Sequence, residues 1–188
     1  DRIAMGFGMP IGPLALADEV GLDIGYNVLN ILQEGYGPRF KVPEQFAQSV
    51  KTDQLLGKKS GKGFYDYSKE FPSINMDLYK QHSIVMKYRI SDQDESEIVD
   101  RLILIMLNEA ARCIEELVVS SPEQLDLAMI MGTGFPAFRG GLLHYADERG
   151  LGDIVHRLNH LAQTVDQRFK PSGYLLKLSK ENQSFYRK

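Results

Sequence analysis

The chain has 188 residues with 22 lysines and arginines against 25 aspartates and glutamates, a net charge of −3 and no basic block, which argues against nucleic acid or an anionic membrane as the main partner. Its hydrophobic fraction of 43% and charged fraction of 25% are those of an ordinary globular protein, and no apolar run is long enough to span a bilayer. A single cysteine, Cys113, excludes an internal disulfide and cannot build a metal site alone; its apolar neighbours at helical spacing predict a buried, inert thiol.

The chain opens on "DRIAMGFGMP", an apolar stretch already under way with no initiator methionine and no signal peptide. It reads as a cut inside a longer polypeptide. Further on, Asp23 is placed to cap a helix over "IGYNVLNIL", and Pro43 to open another over "EQFAQSVKT". Residues 56 to 67, "LGKKSGKGFYDY", then raise the question of a phosphate cradle. Such a loop needs four residues between its glycines, then Lys and a hydroxyl residue, between a strand and a helix. Here Gly57 and Gly61 enclose only three, Lys62 precedes Gly63, and the upstream stretch reads helical. The nucleotide-loop reading fails on spacing and on context. The glycines let the chain turn and the aromatics pin it to its helices; a role for Lys58, Lys59 and Lys62 toward an anionic ligand is the alternative.

Residues 66 to 96 are less regular, with polar, turn-rich "SKEFPSIN" and "SDQDESE" flanking a candidate helix "MDLYKQHSIVMKYRI". A long helix is predicted over residues 97 to 117, with Val99, Leu102, Met106, Ala110, Cys113 and Leu117 on one face. "SSPEQLDLAMIM" follows with Ser121 as N-cap, Pro122 at the first helical position and Gln124 completing a capping box. "LLHYADERG" reads as a short helix stopped by Gly150, and "DIVHRLNHLAQTV" as another. No run alternates convincingly with hairpin turns, so the predicted class is all-α.

The chain also repeats itself. "MGFGMPI" at 5 to 11 recurs as "MGTGFPA" at 131 to 137, and "GPLALADEVGLD" at 12 to 23 answers "GLLHYADERGLG" at 141 to 152. Between these matches the second copy carries three extra residues, Phe138, Arg139 and Gly140. "GPRFKVP" at 37 to 43 is echoed by "DQRFKP" at 166 to 171, and each copy closes on Phe-Tyr, Phe64-Tyr65 and Phe185-Tyr186. The expected organisation is a first helical unit over 1–67, short of its leading helix, a connector over 68–96, and a second unit over 97–188.

Little in this pattern points to chemistry. Of His82, His144, His156 and His160, only His156 and His160 share a helix face at ligand spacing, and no third ligand accompanies them. They read as solvated histidines, and no metal site is expected. "GTGFPAFRGG" contains a G-x-G, but the Phe-Pro that follows prevents a dinucleotide turn. The most promising stretch is "GTGFPAFRGGLLHYAD", a shaped loop opening onto a helix N-terminus, where an anion or carbonyl can be received. Arg139 and Tyr145 are its candidate substrate-binding residues. Against that stand an Arg139 that only satisfies loop carbonyls and a Tyr145 that packs between helices, the commoner outcome for such loops.

"DRIAMGFGMPIGPLALADEVGLD", "LGKKSGKGFYDY", "NEAARCIEE" and "MGTGFPAFRGGLLHYAD" together resemble the C-terminal region of 3-hydroxyacyl-CoA dehydrogenases. The likeness is greatest to the multifunctional fatty-acid oxidation enzymes that also carry an enoyl-CoA hydratase, whose helical unit occurs twice in tandem. The resemblance implies oxidation of the 3-hydroxyl of an acyl-CoA, with hydride passing to NAD on an upstream Rossmann domain. It also implies a His–Glu pair, a Ser and an Asn, all lying before Asp1. The fragment alone is therefore expected to hold neither cofactor nor catalytic residue. In the second copy, the place of the family's Asn is taken by Asp100 beside Arg101, read as a carboxylate at the positive end of a helix dipole. Tyr145 matches a position associated with substrate contact. A thiolase subunit and a homo-oligomer are the partners implied, and a bacterial cytoplasm is the expected compartment, with an organelle matrix as the eukaryotic alternative. Two rival readings remain: a non-catalytic helical module that binds a partner protein, and a sugar- or amino-acid-linked dehydrogenase sharing this tail, whose kind usually lacks the second copy.

Overall fold

The computed structural model describes residues 1–51, 54–81 and 91–186. These residues are helical, as expected: α1 (Arg2–Phe7), α2 (Pro13–Val20), α3 (Leu22–Tyr36), α4 (Glu44–Lys51), α5 (Met76–Gln81), α6 (Asp92–Glu115), α7 (Pro122–Thr133), α8 (Leu142–Arg149), α9 (Leu151–Thr164) and α10 (Gly173–Lys180). The strand content is one antiparallel pair, β1 (Tyr65–Asp66) with β2 (Ser73–Ile74), in register Tyr65 to Ile74. No described helix is long and apolar enough to cross a membrane. The candidate helix at 76 to 90 is seen as α5; its remaining residues lie outside the described ones. The chain divides into two compact units, one of Asp1 and residues 11–90, the other of residues 2–10 and 91–188.

The second unit owns the large core. Its longest helix, α6, starts at a capping box: Ser91 accepts from the Asp94 amide while the Asp94 carboxylate accepts from the Ser91 amide. α1 packs on one side of α6, and α8, α9 and α10 on others. With partners on several sides, its buried arc is wider than a single stripe. Ile103, Leu104, Leu107 and Ala111 are the deepest; of the predicted face Ala110 is buried, whereas Val99, Leu102, Met106 and Cys113 flank the core half-buried. Leu117 falls past the helix end, at φ 57° and 84% exposed. Leu142, Leu143, Ile154, Leu158, Leu161 and Leu175 complete the packing, all fully buried. Asn108, also buried, ties α6 to the chain leading into α10: its amide donates to the Lys170 carbonyl and its carbonyl accepts from the Ser172 amide. Ser121 caps α7 through the Gln124 amide, and the Gln124 side chain reaches back to the amide of Ser120 rather than to that of the cap itself.

The first unit is built differently. Its fully buried apolar side chains among the described residues are Leu22 and Leu78. The predicted cap of α3 is not made: Gly21 holds the N-cap position, and Asp23 sits in the first turn paired with Lys59. Asn75 is buried and donates to the Gly63 carbonyl, fastening the strand pair to the glycine-rich turn. In that turn Lys58 meets Glu19, while Lys62 lies 3.9 Å from Asp66 and 3.8 Å from Asp77. The lysine cluster is thus spent on the unit's own carboxylates.

Because Leu158 is fully enclosed in a dry core, Leu158→Ala is expected to lower stability by about 2–5 kcal/mol in urea unfolding monitored by helical circular dichroism.

Candidate functional site

The stretch from Gly134 to Asp147 is shaped by three glycines with positive φ and by one buried carboxylate. Gly134 ends α7 in the left-handed region, a single 3-10 turn follows at Ala137–Arg139, and Gly140 and Gly141 lead into α8. Asp126, projecting from α7 and 3% exposed, accepts hydrogen bonds from the amides of Leu143 (2.7 Å) and His144 (3.0 Å). The helix N-terminus offered as an anion receptor is thus already occupied by the protein's own carboxylate. Two orphan donors and the positive helix end are satisfied together, without a capping side chain on Gly141. A side chain at Gly141 would overlap Asp126, which is why glycine stands there.

Arg139 and Tyr145 are brought together, with Phe7 between them. The Arg139 guanidinium donates from Nε and Nη2 to the Phe7 carbonyl, both at 3.1 Å, and lies 3.9 Å above the Phe7 ring. It is 5.4 Å from the Tyr145 ring and 5.2 Å from exposed Phe138. Tyr145 meets Phe7 edge-on at 5.4 Å and leans on Phe135. Arg139 therefore closes a loop carbonyl and stacks on aromatic faces at once, a use for which a planar guanidinium is suited. His144 contributes its amide to Asp126 and its ring to an edge contact with Tyr186. His156 and His160 are exposed on α9. Among the described residues, no three potential metal ligands lie together.

A second carboxylate completes the arrangement. Asp147, in the last turns of α8, accepts from the amides of Phe185 and Tyr186, both at 2.9 Å, and the Tyr186 hydroxyl returns to Asp126 at 2.8 Å. The first unit repeats this nearly atom for atom. Asp1 accepts from the amides of Leu14 (2.8 Å) and Ala15 (3.0 Å) at the start of α2, and Asp18 accepts from those of Phe64 and Tyr65, both at 2.9 Å. The Tyr65 hydroxyl donates back to Asp1 at 2.6 Å, and Tyr67 adds a hydroxyl to Asp18 at 3.0 Å. The sequence showed the Ala-Asp pair and the Phe-Tyr ending as separate matches; the structure joins them. Burial and the adjacent Asp18 carboxylate push the Tyr67 hydroxyl up to about 12, and the same causes, through Asp126, raise that of Tyr186.

With this duplicated geometry in view, comparison with known proteins is direct. The family model for the 3-hydroxyacyl-CoA dehydrogenase C-terminal domain matches residues 1–67 and 98–187. The chain belongs to this family. It is 39% identical over 186 residues to the fatty acid oxidation complex subunit alpha of Vibrio vulnificus, and 37% over 191 residues to that of Shewanella frigidimarina, covering 99% and 100% of this chain. The chain spans about a quarter of those relatives, 26% of each. The dehydrogenase part of multifunctional enzyme 1 from C. elegans superposes with a TM-score of 0.66 at 25% identity, over 94% of this chain and 40% of that one. The 3-hydroxybutyryl-CoA dehydrogenase of Escherichia coli shares the fold, with a TM-score of 0.69 at 18% identity over 93% of this chain and 52% of that one.

Within this 3-hydroxyacyl-CoA dehydrogenase domain the reading of Asp100 needs correction. It does not stand at a helix start: α6 begins at Asp92, so Asp100 lies more than two turns inside, beyond the reach of the helix-end charge. It is 3% exposed and bonded by Arg149 and by Arg157, the latter at 2.7 Å. Burial would lower the Arg149 pKa, but hydrogen bonds to Asp100 and Asp153 outweigh it and the guanidinium is held charged. The signal available in sequence was the pair of arginines eight apart, at the end of α8 and within α9, and no spacing rule links either to a carboxylate 49 or 57 residues upstream.

Asp147→Ala is expected to release the closing segment, with faster hydrogen exchange at Phe185 and Tyr186 and about 1–3 kcal/mol less stability. For Tyr67, the folded-state value lies above the unfolded one of about 10. Its contribution is therefore complete below that pH and is lost as pH rises toward about 12. An alkaline titration of phenolate absorbance should show several late tyrosines, with one fewer in Tyr67→Phe.

Proposed function

We propose that these residues are the helical substrate and association region of an NAD-dependent 3-hydroxyacyl-CoA dehydrogenase, within a multifunctional β-oxidation enzyme that also carries an enoyl-CoA hydratase upstream. The observation that carries this reading is the tandem match of the dehydrogenase C-terminal domain on two copies that share the same aspartate pairs. In this proposal residues 1–67 and 97–188 are the two units and 68–96 joins them. The hydride acceptor, NAD, and the general base that removes the hydroxyl proton stand on the upstream domain. The helical units shape the acyl-CoA side. Arg139 and Tyr145 act there by fixing the form of the loop over Phe7, since both side chains are already engaged with Phe7. A thiolase subunit as next enzyme, a homo-oligomeric assembly and a bacterial cytoplasm, or an organelle matrix in a eukaryote, belong to the same proposal.

The expected result is that the enzyme expressed with its natural upstream sequence reduces NAD with a 3-hydroxyacyl-CoA. The 188-residue chain alone should neither bind NAD nor oxidise NADH with acetoacetyl-CoA. Turnover by the isolated chain would overturn the assignment of the chemistry to the upstream domain.

A further inference from the structure

The turn after α6 is built against the preference of its residue. The Val118 amide donates to the Cys113 carbonyl at 2.9 Å and the Leu117 amide to that of Ile114 at 3.2 Å, the pair of bonds that closes a helix on a left-handed residue. α10 closes in the same way, with the Gln183 amide on Leu178 and the Asn182 amide on Ser179. There the left-handed residue is Asn182, at φ 50°, and α7 stops on Gly134 at φ 71°. Glycine and asparagine are the residues such a position accepts. A leucine at φ 57° sets its Cβ against a carbonyl oxygen.

No packing among the described residues repays that strain. Turns of this kind commonly bury the residue after the left-handed one against the last turn of the helix. Here Leu117 is 84% exposed and Val118 66%. Glu115 and Glu116, immediately before them, are exposed as well, and among the described residues no ion pair holds either. At the carbonyl end of α6 their charge adds to the negative end of the helix dipole. The tip is two bare aliphatic side chains on an acidic base.

A bulky residue held left-handed and pushed into water points to a use outside the unit. We propose that Leu117 and Val118 form a docking knob for a different polypeptide, which receives them in an apolar pocket rimmed by lysine or arginine. Charge selects this occupant. Glu115 and Glu116 repel an anionic lipid surface, and two copies meeting tip to tip would bring like charges together. A basic rim instead finds carboxylates beside the aliphatic anchor. Two side chains make a small anchor, suited to a partner that comes and goes rather than to a permanent assembly.

The test puts the photoreactive residue p-benzoylphenylalanine in place of Val118 in the full-length protein in its own cells, with exposed Asn159 on α9 as the control position, and identifies crosslinked peptides by mass spectrometry. The expected result is one crosslinked peptide, from a different polypeptide and absent from the control, with lysine or arginine beside the crosslinked residue. In a Leu117→Gly background the yield should fall about tenfold, and in Glu115→Gln with Glu116→Gln it should fall as well. Leu117→Gly should also slow hydrogen exchange across residues 113–119, because glycine relieves the turn. Slower exchange with crosslinking unchanged would overturn the proposal, since the leucine would then shape the turn alone. Exchange that is no slower would overturn it too. So would crosslinks confined to a second copy, to lipid or to the chain itself, or none above the control. If p-benzoylphenylalanine at 118 disturbs the turn, the same residue at 117 reads the contact, with the paired glutamine substitutions as the contrast.

Discussion

Each copy of the fold hangs on two aspartates. The first caps a short helix from a distance, filling the role of an N-cap side chain where glycine stands at Gly12 and Gly141. The second, at the other end of that helix, holds the two amides of the closing Phe-Tyr segment. The tyrosine then returns its hydroxyl to the first aspartate, so the start of the helix, its end and the chain's last turn are fixed in one circuit. Charge-assisted bonds of this kind are stronger than neutral ones, and each carboxylate oxygen of these four aspartates accepts at least one. In the first unit, with Leu22 and Leu78 as its fully buried apolar side chains among the described residues, the circuit carries a large share of the organisation.

Upon this common frame the copies have diverged. The second unit turned inward: α6 lies among α1, α8, α9 and α10, and the buried Asp100 is compensated by two arginines. Losing either arginine would leave a buried charge less well paired, so the cluster fixes the seating of α6 more than it adds net stability. The first unit has valines at the arginine positions and an apolar exterior. The same repeat positions thus carry a buried charge cluster in one copy and exposed apolar side chains in the other.

Much of this was legible in the sequence because it depends on local rules. The all-α class, the Gly150 stop of α8 and the structural reading of the glycine-lysine turn follow from spacing and capping preferences. The long-range polar contacts were not legible. Asp18 and Asp147 bind main-chain amides 46 and 38 residues away, and an amide is carried by every residue except proline, so no side-chain pattern announces it. Asp100 was misplaced because the helix start at the Ser91–Asp94 capping box was missed, and its partners were missed because the arginines lie 49 and 57 residues downstream. The face of α6 was misdrawn because a helix packed on several sides has no single stripe. The recurrence of Ala-Asp and Phe-Tyr was visible, yet only geometry reveals that they are the two halves of one clasp.

The central claim is that these residues serve an enzyme whose reacting groups lie elsewhere in the same polypeptide. The most direct measurement is the intact mass and N-terminal sequence of the protein isolated from its own cells. The account predicts a chain several times longer, containing a strand–glycine-rich turn–helix unit upstream of Asp1. A native protein beginning at Asp1 would contradict it.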